Sequence, residues 1–208
     1  MNKVKPRPAK SGATLTLEWD RLAEERHRQI ASGEDVSFEY VTVPLTWSLL
    51  QDADYTRVID IGAGTGDFTI KLAAVAGKVI AIEPSRASID VARRVCSSAR
   101  NVRFIEAALE EAATYIGNEP ITAAVALMTL MTAPDLRGFA NALASLLPPG
   151  AQFVAVLTHP WFWSAYWGYE KKHGFNITPR FSLKLRSKFQ NVRRTLRPPT
   201  FTGHSNNT

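Results

Sequence analysis

The residues that most clearly indicate chemistry form a glycine-rich segment, Asp60-Ile61-Gly62-Ala63-Gly64-Thr65-Gly66, followed 17 residues later by Glu83. Apolar residues before this segment and a helical pattern after it predict a strand, a tight turn and a helix, which is the layout of a nucleotide-type cofactor site. Glycine lets the backbone turn tightly and lets a ligand approach without a Cβ in the way. A carboxylate about 20 residues on, at the end of the next strand, is positioned to hold the two hydroxyls of a ribose.

The spacing of the glycines distinguishes between classes of cofactor. A dinucleotide fingerprint places Gly or Ala at the sixth position of G-x-G-x-x-G, but this chain has Asp67 there. A carboxylate at the start of the helix would repel a pyrophosphate. The pattern therefore disfavours NAD and favours a ligand without phosphates whose amino-acid end is zwitterionic. A cofactor-free α/β turn is the alternative, and the presence of both Asp60 and Glu83 in register counts against it.

Strand-like and helix-like patterns alternate around this segment. The strands are short and apolar without alternation, as expected for strands buried on both faces, and we predict them at residues 57–61, 78–82, 102–105, 121–127 and 152–157. Helices are predicted at residues 17–31, 40–50, 67–76, 85–100, 107–116 and 135–147, with Ser85 as an N-cap and Gly77 as a C-cap. The expected fold class is α/β: a three-layer Rossmann-like sandwich with a mainly parallel sheet of at least five strands and an N-terminal helical cap.

The series of motifs resembles that of the class I S-adenosylmethionine (SAM)-dependent methyltransferases over residues 17–167. Asp60 to Gly66 and the strand ending in Glu83 are similar to the family's first two motifs. The turn before the predicted fifth strand is similar to the family's Leu-x-Pro-Gly-Gly and reads Leu147-Pro148-Pro149-Gly150-Ala151. One branch of the family has a Thr-His-Pro-x-Phe segment, which resembles Thr158-His159-Pro160-Trp161-Phe162. The helical cap of small-molecule methyltransferases resembles the spacing of Trp19, His27, Ile30, Gly33, Tyr40 and Pro44.

This resemblance implies that SAM is the cofactor and that a methyl group passes to a small-molecule acceptor. The cofactor-binding residues that it implies are Asp60, Gly62, Ala63, Gly64, Gly66, Glu83 and Leu127. Asp60 would brace the glycine turn or contact the methionine ammonium. Glu83 would hold the ribose hydroxyls.

His159, just after the predicted fifth strand, is the candidate general base for the acceptor's proton. The alternative interpretation is a hydrogen-bonding residue that fixes the turn before Pro160, and His27 is a second candidate base. An aromatic cluster would either line the substrate pocket or pack the cap against the sheet, and it comprises Trp161, Phe162, Trp163, Tyr166 and Trp167. No cluster has the spacing of a metal site, so none is predicted.

Three regions depart from the family's pattern. The third motif usually offers an Asp to the adenine amine, and here only a shifted Glu106 could supply that carboxylate. Thr122 and Leu127 stand where the fourth motif usually has an acid and an Asn or Asp. One lost charge-assisted hydrogen bond costs about 1.5–3 kcal/mol, so weaker SAM binding is expected. After Trp167 no segment has a convincing buried face for the final strands, which would leave the fifth strand as an open edge.

The net charge of +6 on this 208-residue chain is concentrated near its end. Residues 168–208 contain nine Lys or Arg and one acid, whereas residues 1–167 contain 16 basic and 18 acidic side chains. We predict a flexible basic arm at 1–16, a SAM-binding methyltransferase domain with its cap at 17–167, and a basic, poorly ordered tail at 168–208. A tail that grips nucleic acid is the alternative, and a solvated end is favoured because no known nucleic-acid motif is present.

The single cysteine, Cys96, fits a reducing compartment. No apolar run reaches the roughly 18 residues of a membrane span, and no apolar signal core follows the basic start, which disfavours secretion. We therefore predict a cytoplasmic protein without a membrane span. The sequence indicates no oligomeric state.

These observations rank four functions. A methyltransferase acting on a small molecule comes first. A catalytically inactive SAM-binding remnant, serving as a regulatory or interaction protein, comes second because of the missing acids and final strands. A nucleic-acid methyltransferase is third, since the fourth motif lacks an Asn/Asp-Pro-Pro-Tyr-type segment. An NAD-dependent dehydrogenase is last, because of Asp67.

Overall fold

A computed structural model describes residues 10–159 of the chain. Five β-strands alternate with helices in this part, and the strands are β1 Arg57–Ile61, β2 Lys78–Ile82, β3 Val102–Ile105, β4 Ala123–Leu127 and β5 Gln152–Val156. The α-helices are α1 Gly12–Ala31, α2 Val43–Leu49, α3 Thr69–Ala73, α4 Arg86–Val95, α5 Leu109–Ile116 and α6 Leu136–Leu146. A π-helical turn, Phe38–Thr42, precedes α2, and a 3₁₀ turn, Leu130–Thr132, follows β4.

The five strands form one parallel sheet in the order β3-β2-β1-β4-β5. The order reverses beside β1, so the connections after β1 and β4 leave a crevice at the carboxyl ends of the strands, where open α/β sheets bind ligands. All five residues of β1 are buried. The α/β, Rossmann-like fold that the sequence predicts is confirmed.

Successive residues of the strands contribute to two hydrophobic cores, one on each face of the sheet. On one face Ile59 and Ile80 pack with α5 and α6. On the other face Val58 and Val79 pack with α2 and α3. Each buried aliphatic side chain contributes about 1.5–3 kcal/mol through the surface that it removes from water. The two cores explain why the strands read as continuous apolar runs and make the domain a three-layer sandwich.

Helix α1 lies over the carboxyl edge of the sheet and is fastened by polar side chains. Asp20 accepts hydrogen bonds from the Ser85 hydroxyl (2.7 Å) and from the Ala87 amide (3.1 Å) at the start of α4. His27 Nδ1 lies 2.9 Å from Asp67 Oδ1 in the glycine turn. These contacts join the cap to the two loops that form the crevice.

The strand bounds follow the sequence closely, whereas several helix bounds differ from the prediction. Helix α1 begins at Gly12 with Ser11 as its N-cap, so it includes residues 12–16, which the sequence pattern assigns to the arm. The single helix predicted at 40–50 is a π-helical turn followed by α2. Ser85 is the N-cap of α4 as predicted, accepting a hydrogen bond from the Ser88 amide (3.1 Å).

Two helices end earlier than predicted because tertiary contacts redirect the chain. Helix α3 ends with Ala74 as its C-cap, so the predicted capping role of Gly77 is wrong. A Cβ on Gly77 would lie 2.8 Å from the Thr56 carbonyl oxygen, so its missing side chain instead allows a close approach to the segment before β1. Helix α4 ends at Val95, and the side chain of Asn101 then donates to the carbonyl oxygens of Ala73 and Ala76 (3.0 and 2.8 Å), which ties the chain to the end of α3.

Candidate functional site

A cavity of about 580 Å³ lies at the carboxyl ends of β1, β2 and β4, beneath helix α1. This volume is within the range of about 300–1,000 Å³ that small-molecule sites occupy. The predicted cofactor residues Asp60, Gly62, Ala63, Gly64, Glu83 and Leu127 all line it. The cap contributes apolar residues and one cation to the opposite wall, including Leu15, Trp19, Ala23, Arg26, Ile30 and Phe38.

The backbone amides of the glycine turn are occupied within the protein. Gly62 and Ala63 both donate to the Ile82 carbonyl oxygen (2.8 and 3.0 Å), and Gly66 donates to the Ala63 carbonyl oxygen (3.0 Å). The Gly64 amide donates to Glu83 Oε2 (3.0 Å). A phosphate cradle needs amide groups that point at the ligand, and at these four positions they point elsewhere. The turn therefore shapes the cavity wall without forming an anion site.

Gly66 is placed differently from the sequence expectation. It does not line the cavity. Its φ is +81°, and a Cβ there would lie 2.9 Å from both Cα and Cβ of Ala92. Gly66 therefore permits the glycine turn to contact α4 directly, which is a packing role.

Glu83 links the two loops that form the crevice. Its side chain is buried, with Oε2 accepting from the Gly64 amide and Oε1 from the Ser85 amide (2.9 Å). Burial raises the pKa of Glu83, and these two backbone hydrogen bonds oppose that rise. A carboxylate oxygen can accept more than one hydrogen bond, so both oxygens retain acceptor capacity toward the cavity.

Asp60, at the end of β1, is 2% exposed and accepts a hydrogen bond from the Thr69 hydroxyl (2.7 Å). Burial raises the pKa of Asp60 to about 6; the Thr69 hydrogen bond opposes the rise and the nearby Glu83 charge adds to it. A buried carboxylate with one neutral partner is costly to ionise. A cationic ligand group in the cavity would therefore stabilise its charged form.

Arg26 is a cavity residue that the sequence reasoning missed. It is the only Lys or Arg among the described lining residues, and it pairs with Asp35 at 2.6 Å. The sequence contained a signal for the position of Arg26, because residues 19, 23, 26 and 30 follow helical spacing and all line the cavity. A cation on an otherwise apolar helix face is the pattern that would have identified it.

The residues that depart from the third and fourth motifs have different positions in the structure. Glu106 lines the cavity, although its carboxylate pairs with Arg86 (2.9 Å). Leu127 also lines the cavity, and the next residue, Met128, adopts a positive φ of 56° as the chain turns away from the sheet. The Thr122 hydroxyl donates to the Asp54 carbonyl oxygen (2.6 Å), before β1 and away from the cavity.

The two histidine candidates do not line the cavity. His159 follows β5 and is exposed. His27 is on α1, where it contacts Asp67, a residue that does line the cavity. The predicted aromatic cluster at 161–167 and the predicted basic tail at 168–208 lie outside the described residues.

Two further sequence expectations concern metals and membranes. Among residues 10–159 no group of three or more His, Cys, Asp or Glu side chains could hold a metal ion. In the same part of the chain, no helix is both long enough and apolar enough to span a membrane.

Similarity to known proteins indicates the family to which this site is related. Residues 58–150 match the family model described as "Methyltransferase domain". Ubiquinone biosynthesis O-methyltransferase of Methylocella silvestris is 33% identical over 107 residues, covering 49% of this chain and 40% of that protein. The bifunctional biotin biosynthesis protein BioHC of Cellvibrio japonicus is 37% identical over 65 residues, covering 27% of this chain and 13% of that protein. The chain therefore spans less than half the length of these two curated relatives.

Solved structures share the fold. The DhpI–SAH complex superposes with a TM-score of 0.56 at 23% identity, covering 71% of this chain and 70% of that one. The DhpI–SAM–HEP complex gives a TM-score of 0.57 at 20% identity, covering 81% and 76%. Residues 58–150 thus match a methyltransferase domain, and the described part of the chain has a Rossmann-like α/β fold. S-adenosylmethionine is the cofactor of this family.

Proposed function

We propose that this chain binds SAM in the cavity beneath α1 and transfers its methyl group to a small-molecule acceptor. The observation that carries the proposal is the closure of the glycine turn on the Glu83 carboxylate, in a cavity whose charged residues are mostly acids. The amides of the turn are occupied, so the site favours a ligand without phosphates.

The charge of the cavity supports the same choice. Its described lining contains six carboxylates (Asp60, Asp67, Glu83, Glu106, Glu110 and Glu111) and one cation, Arg26. SAM has a sulfonium, an ammonium and a carboxylate, and therefore a net positive charge. A dinucleotide has a doubly negative pyrophosphate, which this lining would repel. The charge balance thus argues against an NAD-dependent dehydrogenase.

Each part of SAM has candidate partners in this lining. We assign the ribose hydroxyls to the remaining acceptor positions of Glu83 and the methionine ammonium to Asp60. Arg26 is the candidate for the methionine carboxylate, because guanidinium groups match carboxylates well. The adenine would lie against Ala107 and Leu109, which are apolar and line the cavity.

SAM supplies an activated methyl group, and the chain's own residues would supply binding, orientation and exclusion of water. Methyl transfer is an in-line displacement, so holding the acceptor atom behind the methyl carbon is the main requirement. Trp19, Leu15 and Phe38 on the cap form apolar walls suited to keeping water away from this reaction. His159 stays a candidate base for the acceptor's proton, and its position outside the cavity lining means that the acceptor would have to extend past β5.

We infer a small-molecule acceptor because the cavity has a volume of about 580 Å³ and is bounded by α1 and the loop after β4. One relative is, by its name, an O-methyltransferase of ubiquinone biosynthesis, which makes an oxygen acceptor a reasonable first choice. No feature of the described residues supports the inactive-remnant alternative. The domain boundaries, the cytoplasmic location and the role of the basic tail stay predictions.

Calorimetric titration of the full chain with SAM and, separately, with NAD tests the cofactor assignment. We expect micromolar SAM binding, or about −8 kcal/mol, and no heat with NAD. Glu83→Ala should weaken SAM binding at least tenfold. Glu25→Ala is the matched control, because Glu25 is exposed on α1, pairs with Arg28 on the same helix and is not part of the cavity.

A folded sample that gives no heat with SAM would overturn the proposal. So would a Glu83→Ala variant that binds SAM as tightly as the wild type. Formation of S-adenosylhomocysteine with a panel of phenol, catechol, amine and carboxylate acceptors would then identify the class of acceptor.

A further inference from the structure

A second concave site lies at the opposite edge of the sheet from the SAM cavity. It is a cleft of about 500 Å³ at the amino ends of β1, β2 and β3. We call it the basic cleft, and it is lined by Arg57, Lys78, Arg100, Arg103 and Glu119, with Asn101 and Asn118 among its neutral residues. The proposed methyl-transfer chemistry does not use it.

The floor of the cleft contains a buried cation. The Arg57 side chain is 8% exposed and donates to the carbonyl oxygens of Ile116 (2.6 Å) and Glu119. Its carboxylate partner is Glu119, at 3.5 Å from Nε, and that side chain is 60% exposed. Glu119 also pairs with Lys78 at the shorter distance of 2.9 Å. One carboxylate therefore balances two cations, one of which is buried.

Two further cations add to this excess. Arg100 and Arg103 line the cleft and are exposed. Within the described residues neither side chain has an ion pair or a hydrogen bond. The lining thus contains four basic side chains and one acid. A buried charge without a full counter-charge is unfavourable. An anion in the cleft would supply the missing negative charge.

We propose that the basic cleft binds a small phosphate-bearing anion, either inorganic phosphate or a phosphorylated small molecule. Guanidinium groups bind phosphate oxygens in pairs through a fixed fork of donors, and Arg100 and Arg103 provide two forks without other partners among residues 10–159. The buried Arg57 side chain supplies a positive charge that is fixed in position. The concave shape and modest volume favour a compact anion over an extended nucleic acid, which needs a long groove.

Calorimetric titration of the full chain with sodium pyrophosphate and with sodium phosphate tests this proposal, in buffer at about 20 mM ionic strength because screening weakens such contacts at higher salt. We expect saturable binding with a Kd below about 1 mM for at least one of the two anions. The double substitution Arg100→Gln and Arg103→Gln should weaken that binding at least tenfold.

The matched control is the double substitution Arg21→Gln and Arg137→Gln. Both residues are exposed, both lie outside the cleft and the SAM cavity, and the pair removes the same charge. It should change the Kd much less than the Arg100/Arg103 substitution does, since it lowers the net charge equally but removes no donor from the cleft. Circular dichroism and thermal unfolding of the Arg100/Arg103 variant should match the wild type, which shows that the variant is folded whether or not the chain binds SAM.

Three results would overturn the proposal. One is equal loss in both double variants, which would indicate a response to net charge. Another is unchanged binding in the Arg100/Arg103 variant, which would place the anion elsewhere on the chain. The third is tight binding of a 20-nucleotide RNA through the same arginines without any pyrophosphate binding, which would make the cleft a nucleic-acid contact.

Discussion

The buried carboxylate of Asp60 should make the stability of the ligand-free chain depend on pH. Burial raises the pKa of Asp60 from the ordinary value of 3.8 to about 6. Such a difference corresponds to about 3 kcal/mol between the two protonation states. Because the folded-state pKa is the higher one, the stabilisation is fully present below about pH 4 and is lost as the pH rises through about 6.

The substitution Asp60→Asn removes this titration while keeping an oxygen that can accept from the Thr69 hydroxyl, which lies 2.7 Å from Asp60 Oδ2. We expect the variant to match the wild type near pH 4 and to exceed its free energy of unfolding by about 3 kcal/mol near pH 8, with most of the change between about pH 4 and 6. Urea unfolding of both proteins across this pH range measures the difference.

The difference between the two proteins is the relevant quantity, because titrating groups that do not interact with Asp60 contribute equally to both. Asp90→Asn is the control, since Asp90 is a surface carboxylate paired with Arg86 and Arg93; it should change stability by less than about 1 kcal/mol at either pH. A stability gap between Asp60→Asn and the wild type that is the same at pH 4 and pH 8 would refute the reasoning.

Three further perturbations test other parts of the site. Gly66→Ala should destabilise the fold by about 2–4 kcal/mol, because of its positive φ and the contact with Ala92. At Gly64 φ is also positive, but no atom of the described residues lies within 4 Å of an added Cβ, so Gly64→Ala should cost about 1 kcal/mol in the same thermal and urea unfolding experiments. Ser85→Ala should cost about 1–2 kcal/mol in urea unfolding, because the N-cap of α4 and a tie to α1 are both lost, and a loss below about 0.3 kcal/mol would contradict that role. Arg26→Gln should leave the fold intact by circular dichroism and weaken SAM binding about tenfold in calorimetry; unchanged affinity would remove Arg26 from the proposed site.

The bounds of the strands could be predicted almost to the residue, because the sequence pattern that indicates a strand is local. The central strands β1, β2 and β4 are short, largely apolar runs, and burial on both faces leaves no competing pattern. The helix ends were harder, because they depend on contacts between distant parts of the chain. The side chain of Asn101 binds the end of α3. This contact requires α4 to end at Val95, and no feature of the local sequence indicates that end.

The residues of the candidate site also divide into those that local motifs predict and those that depend on contacts between distant parts of the chain. Asp60, Gly62, Gly64 and Glu83 follow from motif spacing, and all line one cavity. The spacing also implied that Gly66 faces the ligand, although its neighbour is Ala92, which is 26 residues away in the sequence. Arg26 was missed because a cation on a helix usually faces water, and only the approach of α1 to the glycine turn places it in the cavity.

The separate origins of the two cavity walls have an evolutionary consequence. The wall with the glycine turn and Glu83 comes from the sheet and its first two loops, whereas the opposite wall comes largely from residues 12–42. That cap meets the sheet domain through packing of α1 against α4 and through side-chain ties such as Asp20 to Ser85 and His27 to Asp67. Under the proposed function, substitutions at cap positions such as Leu15 or Trp19 would therefore alter which acceptor is admitted while leaving the buried strands unchanged. Selection can diversify the chemistry of one wall and preserve the other.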